Sequence, residues 1–310
     1  RVDRKAGWDT HGLPVEIEVE KELGLQSRED IENYGIAAYN AACRESVLRY
    51  KDQWDELTRR IGYWVDLDAP YVTFSNEYIE SVWWLLKQLH EQGLLYKGHK
   101  IHWYSPGSGT VLSSHEVSLG YKEVQDPSIT VKFFLADEPD VAILAWTTTP
   151  WTMPSNVALA VGPDIEYARV RAADGSLYIV ARDCVAATLG DDAEIVETFG
   201  AEALIGRRYK PPYDCFADHP EAHNAWYVIA ADFITTDDGT GIAHEAPAFG
   251  ADDFNVTSAA GMPVFNPIER DGHFRADFPL VGGQWFKDAD KPIARDLKDR
   301  GLLFAQDVTV

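Results

Sequence analysis

Three adjacent threonines, Thr147, Thr148 and Thr149, follow an apolar run from Val141 to Ala145. They sit in the stretch Trp146-Thr147-Thr148-Thr149-Pro150-Trp151-Thr152-Met153-Pro154-Ser155-Asn156, where two prolines stiffen the backbone around them. Hydroxyls and exposed amides held in a stiff loop suit a neutral polar ligand such as a ribose or an ester carbonyl. The same threonines also read as a β-branched continuation of the preceding strand.

A second stretch, Gly239-Thr240-Gly241-Ile242-Ala243-His244-Glu245-Ala246-Pro247-Ala248-Phe249-Gly250-Ala251-Asp252-Asp253-Phe254, places Thr240 between glycines that permit close backbone approach. It lacks the Lys-Ser/Thr ending of a phosphate loop, and the chain has no dinucleotide fingerprint. His244 is a candidate general base, and the Asp252-Asp253 pair a candidate anchor for an ammonium group. The alternative is a satisfied core histidine and a pair of helix-capping acids. Neither stretch pairs a serine or cysteine nucleophile with a histidine and a third orienting group, so hydrolysis here would use water directly.

Near the start, Gly7-Trp8-Asp9-Thr10-His11-Gly12-Leu13-Pro14 packs glycines, an acid and an imidazole into one turn ahead of a helix-like run from Val15 to Glu22. Asp9 could receive a substrate ammonium, with Gly7 and Gly12 letting a ligand approach the backbone. Equally, Asp9 or Thr10 could cap the helix. Further on, His102-Trp103-Tyr104-Ser105-Pro106-Gly107-Ser108-Gly109-Thr110 resembles a family segment that often carries Cys-x-x-Cys for a structural zinc, with serine here at both cysteine positions. Serine is a poor zinc ligand at neutral pH, so no zinc is expected at Ser105 and Ser108; His99, His102 and His115 are read as surface or hydrogen-bonding residues.

Taken together, these motifs resemble those of the isoleucyl-tRNA synthetases. Gly-Trp-Asp-x-His-Gly-Leu-Pro is similar to the amino-acid-binding signature, which valyl and leucyl enzymes share only in part. Trp-Thr-Thr-Thr-Pro-Trp-Thr and Gly-Thr-Gly-Ile-Ala-His-x-Ala-Pro-Ala-Phe-Gly-x-x-Asp resemble the two signatures of the inserted editing domain, in the family's order and at about its spacing. The resemblance implies an α/β and β fold, a partial Rossmann-type catalytic domain with an inserted β-barrel-like editing domain. The expected divisions are 1–122 for the catalytic part, with the zinc-less knuckle near 98–121, then 123–288 for the editing insert and 289–310 for the return to the catalytic core.

The resemblance also implies roles. Asp9 would hold the α-amino group of isoleucine, with Gly7 and His11 beside it. Asp253 would hold the α-ammonium of a mischarged amino acid, and Thr147, Thr148, Thr149 and Asn156 would shape the pocket around the terminal adenosine and the ester. His244 would stand near the amino-acid side chain and help to exclude isoleucine. Trp146, Thr152 and Thr240 complete the expected substrate contacts. The whole enzyme would charge tRNA(Ile) using ATP with Mg2+, and the insert would hydrolyse Val-tRNA(Ile) at the tRNA 3' end. The His-Ile-Gly-His-like and Lys-Met-Ser-Lys-Ser-like ATP motifs are absent, so this segment by itself is expected to activate no isoleucine. A non-catalytic tRNA-binding remnant and the editing region of a valyl or leucyl relative are the alternative readings.

The elements that must position these residues follow from periodicity. Between Glu29 and Gln92 the chain reads helical, most clearly from the cap candidates Ser75-Asn76 to Gly93. There Ile79, Val82, Trp83, Leu86 and Leu89 form one stripe, read as core packing. From about Lys97 short β-branched runs alternate with Gly, Pro and Asp turns. Strands are expected at Ser128 to Leu135, Val141 to Thr147, Asn156 to Val161, Tyr167 to Arg171, Leu177 to Ala181 and Trp226 to Ala231, forming a barrel or sandwich rather than a wound parallel sheet. Helix returns from Pro292 to Leu303.

The 310 residues, 45% hydrophobic and 25% charged, can bury one large core or two ordinary ones. A net charge of -22 argues against general nucleic-acid binding, which needs clustered cations; a single-stranded end seated in a pocket escapes that objection. Three widely spaced cysteines suggest no disulfide framework, no apolar run approaches the roughly 20 residues that span a bilayer, and no signal peptide is visible. A cytoplasmic monomer with no membrane contact is expected. The first residues run straight into a motif without an initiator Met, which reads as a segment cut from a longer chain.

Overall fold

The computed structural model describes residues 2–309 and divides into two compact units, Arg1–Gly98 and His99–Val310. In the first, β1 (Lys5–Trp8) leads through a turn into α1 (Leu13–Leu23), followed by α2 (Arg28–Tyr34), α3 (Ile36–Val47), α4 (Lys51–Arg60), β2 (Asp66–Val72) and α5 (Asn76–Glu91). β1 and β2 pair in parallel, with Gly7 opposite Tyr71. A Cβ at Gly7 would overlap the Tyr71 ring, which is why glycine stands there. α1 starts from Gly12 at φ 99°, so neither Asp9 nor Thr10 serves as its cap. α5 is capped by the Ser75 hydroxyl, which accepts from the Tyr78 N–H, as the sequence pattern requires.

The stripe on α5 departs from expectation. Val82, Leu86 and Leu89 are exposed and Trp83 keeps 70% of its surface accessible. Periodicity reports that a helix has an apolar face but carries no record of what lies over it. Among the described residues no layer covers this one; Ile79, Val82 and Trp83 instead line a cleft.

The second unit begins with the hairpin β3 (Tyr104–Ser105) and β4 (Thr110–Val111) and the short helix α6 (Ser114–Leu119). Then come β5 (Asp126–Phe134), β6 (Val141–Thr147), β7 (Ala158–Val161), β8 (Glu166–Arg171), β9 (Leu177–Ala181), α7 (Val185–Leu189), β10 (Glu194–Gly200), β11 (Tyr227–Ala230), β12 (Ile242–Glu245), α8 (Ala251–Ala259), α9 (Asp290–Asp299) and β13 (Leu303–Thr309). Nine strands form one curled, half-barrel sheet in the order β10-β8-β9-β6-β12-β7-β11, with β5 joining β6 to β13.

β6 is the centre of this sheet. It pairs antiparallel with β5 and parallel with both β9 and β12. Its run Val141 to Ala145 is buried on both faces: Ile143 and Ala145 enter the main core with Phe133, Tyr167 and Ile179, while Ala142 and Leu144 enter a smaller cluster with Val170 and Val180. A central strand covered on both sides reads as a continuous apolar run rather than an alternation. Truncating Leu144 to Ala would cost about 2–5 kcal/mol. The parallel pairings β6 with β9, β6 with β12 and β7 with β11 make the sheet mixed, which strand spacing alone did not reveal.

The stretch after 288 supplies α9 and β13. Ile293, Ala294 and Leu297 of α9 enter the main core, and β13 runs antiparallel to β5. The serine hairpin is closed by its own bonds, Ser105 Oγ accepting from the Ser108 N–H at 3.3 Å. Among the described residues no group of three or more His, Cys, Asp or Glu side chains is placed to hold a metal, and Cys43, Cys184 and Cys215 are free thiols. Among the same residues no helix is long and apolar enough to cross a membrane.

Candidate functional site

β6 and β12 are parallel neighbours, with Trp146 opposite Ala243, so their carboxyl ends emerge side by side. The threonine stretch continues from one end and the Glu245 to Asp253 stretch from the other. Loops leaving the carboxyl ends of adjacent parallel strands are a recurrent place for ligand sites.

The two stretches are joined by a directed row of hydrogen bonds. The Asn156 side chain donates from Nδ2 to the Ala158 carbonyl and to His244 Nδ1, both at 2.9 Å, while its Oδ1 accepts from the Tyr209 hydroxyl at 2.7 Å. His244 Nδ1 is therefore an acceptor and Nε2 carries the proton, which it donates to Thr152 Oγ1 at 3.0 Å. Thr152 gives its own proton to the Thr149 carbonyl at 2.8 Å. Thr149 must then donate to Thr152, and Thr147 to Thr149, across 3.3 and 3.2 Å.

Burial removes the water that would stabilise an imidazolium, and His244 titrates only at about 3. A neutral ring with both nitrogens engaged acts as a strut between the stretches. Thr148 is half-buried like Thr149 but differs from its neighbours in that its hydroxyl makes no hydrogen bond among the described residues. Of the three threonines it is the one with a donor to offer. Outside the row, the Trp151 ring meets Phe249 of the second stretch edge-on at 4.6 Å.

Asp253 lies in the first turn of α8, where its Oδ2 accepts from the Ala246 N–H at 2.8 Å. A Cβ at Gly250 would overlap Asp253 Oδ1, so this glycine makes room for the carboxylate. Burial raises the Asp253 pKa, the Ala246 N–H opposes that rise, and Asp252 adds to it. Oδ1 remains available for a cation.

Not every expected residue joins this cluster. Trp146 faces the other way, its ring against Gly239, and it lines a separate cleft of about 290 Å³ with Ser128, Thr130 and Thr240. The Thr240 hydroxyl is buried and donates to the Leu144 carbonyl at 2.7 Å, tying the Gly-Thr-Gly turn to β6.

In the first unit, Asp9 and His11 leave the carboxyl end of β1 and line a cleft of about 490 Å³ with Tyr71, Thr73, Tyr78 and Trp83. Thr73 Oγ1 sits at 2.8 Å from Thr10 Oγ1 and 3.1 Å from His11 Nδ1, fixing the turn from the end of β2. Asp9 accepts only a long contact, 3.4 Å, from the His11 N–H.

Three residues that sequence reasoning passed over belong to the second-unit site. Tyr209 orients Asn156. Asp290 accepts from the Trp151 N–H at 2.9 Å and is itself met by Lys287 at 3.2 Å, which anchors the turn Pro150–Ser155 to the start of α9. Glu245 is 1% exposed with no partner for either carboxylate oxygen. Only Glu245 left a local trace, an acid at the end of a short strand next to His244.

Residues 1–290 match the family model of the class I tRNA synthetases for isoleucine, leucine, methionine and valine. The chain belongs to the class I tRNA synthetases. Its synthetase relatives include the isoleucine-tRNA ligases of Bacillus thuringiensis (strain Al Hakam), 48% identical over 304 residues, and Thermobifida fusca (strain YX), 50% identical over 308. The Thermus thermophilus isoleucine-tRNA ligase is 47% identical over 310 residues. Each match covers 98% of this chain and 29% of the relative, so the chain spans under a third of these synthetases. Their names agree with the resemblance read from the three motifs. The P. falciparum cytosolic leucyl-tRNA synthetase editing domain aligns with 59% of the chain and 99% of its own length, at 9% identity and a TM-score of 0.45.

Proposed function

We propose that this chain carries the deacylation site of an isoleucine-tRNA ligase, which removes valine from Val-tRNA(Ile), and that the whole protein charges tRNA(Ile) with isoleucine using ATP and Mg2+. The observation that carries the reading is the meeting of the two stretches at the carboxyl ends of β6 and β12, joined through Thr152 and His244, with Asp253 bracketed beside them. A site that accepts isoleucine rejects valine by only about 1–3 kcal/mol, the value of one methylene, so a second and smaller pocket is needed to remove the error.

In this reading Asp253 Oδ1 holds the α-ammonium of the valyl group and so fixes the ester over the threonine turn. Water adds to the ester carbonyl, the ester bond breaks, and valine and the free ribose hydroxyl leave. Thr148 and backbone amides steady the oxyanion, and the neighbouring ribose hydroxyl of the substrate takes part in activating the water. His244, neutral and engaged at both nitrogens, sets the width of the pocket instead of moving a proton. The terminal adenosine lies along the turn Pro150–Ser155.

The first unit, in the same reading, is part of a Rossmann-type catalytic domain in which Asp9, with Gly7 and His11, receives the isoleucine ammonium. The lining of its cleft carries no lysine or arginine to meet phosphates, and neither ATP motif occurs in the chain, so ATP chemistry is assigned to none of these residues. Catalytic and editing parts divided near 122 and 288, a monomeric state and a cytoplasmic location belong to this reading.

The test is hydrolysis of Val-tRNA(Ile) by the chain and by Asp253→Asn, which keeps an acceptor for the Ala246 N–H while removing the charge. The expected result is a loss of at least about 100-fold in kcat/KM, of the order that removing a charge-assisted contact produces. Equal rates for the two proteins would leave a tRNA-binding remnant as the better account. Preference for Thr-tRNA(Val) would point to the valyl relative.

A further inference from the structure

Glu245 stands at the end of β12, between the strut His244 and Ala246, whose N–H brackets Asp253. Its backbone is fixed, the carbonyl accepting from the Val157 N–H at 2.9 Å. Its side chain is almost fully removed from solvent, and neither carboxylate oxygen has a hydrogen-bond partner. A buried ionised carboxylate without donors costs several kcal/mol, so such a group takes up a proton or waits for a cation.

The titratable groups that bear on Glu245 are Asp253 and Asp252 from α8, Tyr209 from the segment beside β11, and His244, its neighbour on the strand. The two aspartates repel a negative charge on it, and Tyr209 and His244 are neutral, so none supplies a compensating cation. Burial first, then Asp253 and Asp252, push its titration up to about 8.

We propose that Glu245 is a second acid of the ammonium pocket: it holds a proton while the pocket is empty and releases it when a substrate ammonium arrives at Asp253. This rests on the reading of Asp253 given above. The approaching positive charge favours the carboxylate form of Glu245, so the pocket meets the ammonium with two negative charges and meets a neutral ligand with one. An acid that ionises only beside a cation discriminates between an aminoacyl ester and an ester lacking the amine. It also avoids the standing repulsion of two adjacent carboxylates.

Two measurements separate the proposal from the reading beneath it. The first is the infrared titration of the chain carrying isotopically labelled glutamate. A protonated glutamic acid band is expected at pH 7, removed in Glu245→Gln; absence of that band from the unmutated protein overturns the proposal without reference to any ligand or variant.

The second is calorimetry with a non-hydrolysable amide analogue of 3'-valyladenosine, in two buffers of different ionisation heat at pH 7. The native chain is expected to release up to about one proton per ligand bound, and Glu245→Gln none. Equal proton release from both proteins sinks the proposal. If Asp253→Asn binds the analogue as well as the native chain does, the ammonium role of Asp253 fails instead, and the glutamate band then decides only where the proton of Glu245 resides. Should Glu245→Gln fail to fold, Glu245→Leu replaces it, since an apolar side chain suits the same buried position.

Discussion

Thr152 and His244 lie 92 residues apart and are joined by a 3.0 Å hydrogen bond in which the imidazole donates. That bond locks the turn after β6 to the strand β12 and fixes the tautomer of the histidine. Burial then makes a residue that invites assignment as a general base into a neutral support.

Opposing pH effects follow from His244 and its neighbour Glu245. The pKa of His244 falls from the ordinary 6.5 to about 3, so the unfolded chain binds the extra proton and stability drops as pH falls through that window. Glu245 rises from 4.5 to about 8, so the folded chain holds the extra proton and stability drops as pH rises between those values. Each slope is about 1.4 kcal/mol per pH unit. For these two groups the slopes cancel between 4.5 and 6.5, leaving losses on either side. Urea titrations from about pH 4 to 8 should show Glu245→Gln relieving the loss above 6.5 and His244→Asn relieving the loss below 4.5.

The threonines should separate by function. Thr149→Val breaks the donor row and leaves Thr152 and Thr147 with a lost partner, a cost of about 1–3 kcal/mol. Thr148→Val removes a hydroxyl that supports nothing in the fold, and the melting temperature should stay within about a degree. Deacylation should fall in both. A Thr148→Val protein with undiminished kcat would remove Thr148 from the oxyanion role.

Gly250→Ala tests the seat of Asp253. A Cβ there displaces the Asp253 carboxylate, so kcat/KM for Val-tRNA(Ile) should fall by at least about tenfold. The backbone at Gly250, φ −117°, is open to alanine, and circular dichroism should show the fold retained. Full activity in this variant would mean that Asp253 tolerates displacement and is no fixed anchor.

Asp290 offers a test at long range. Asp290→Ala leaves the half-buried Trp151 N–H without its acceptor and the Lys287 ammonium with Asp126 alone, and should destabilise by about 1–3 kcal/mol. Asp290→Asn keeps an oxygen for Trp151 and should recover part of that loss. Proteolysis within the turn Pro150–Ser155 should increase in the alanine variant and much less in the asparagine one.

The exposed face of α5 and the tightly buried β6 show where sequence patterns stop. Both were legible as elements, α5 from its Ser75 cap and apolar stripe and β6 as an uninterrupted apolar run, because caps and periodicities act within a few residues of chain. Whether a stripe is covered depends on what the rest of the chain brings to it. The stripe read as core is exposed for that reason.

The sequence by itself determined the family, through three motifs, and marked Thr147 to Thr149, His244 and Asp253 as residues able to do chemistry. The tertiary structure decided how they are placed and what each of them touches. The parallel register of β6 and β12 brings the stretches together, burial keeps His244 neutral, and the hydrogen bonds of Asn156 and Thr152 fix its tautomer. Asp290, 139 residues from Trp151, fixes the turn. Burial without a partner makes Glu245 a proton holder. These outcomes depend on burial and on hydrogen bonds across long separations, which the sequence near either partner does not record.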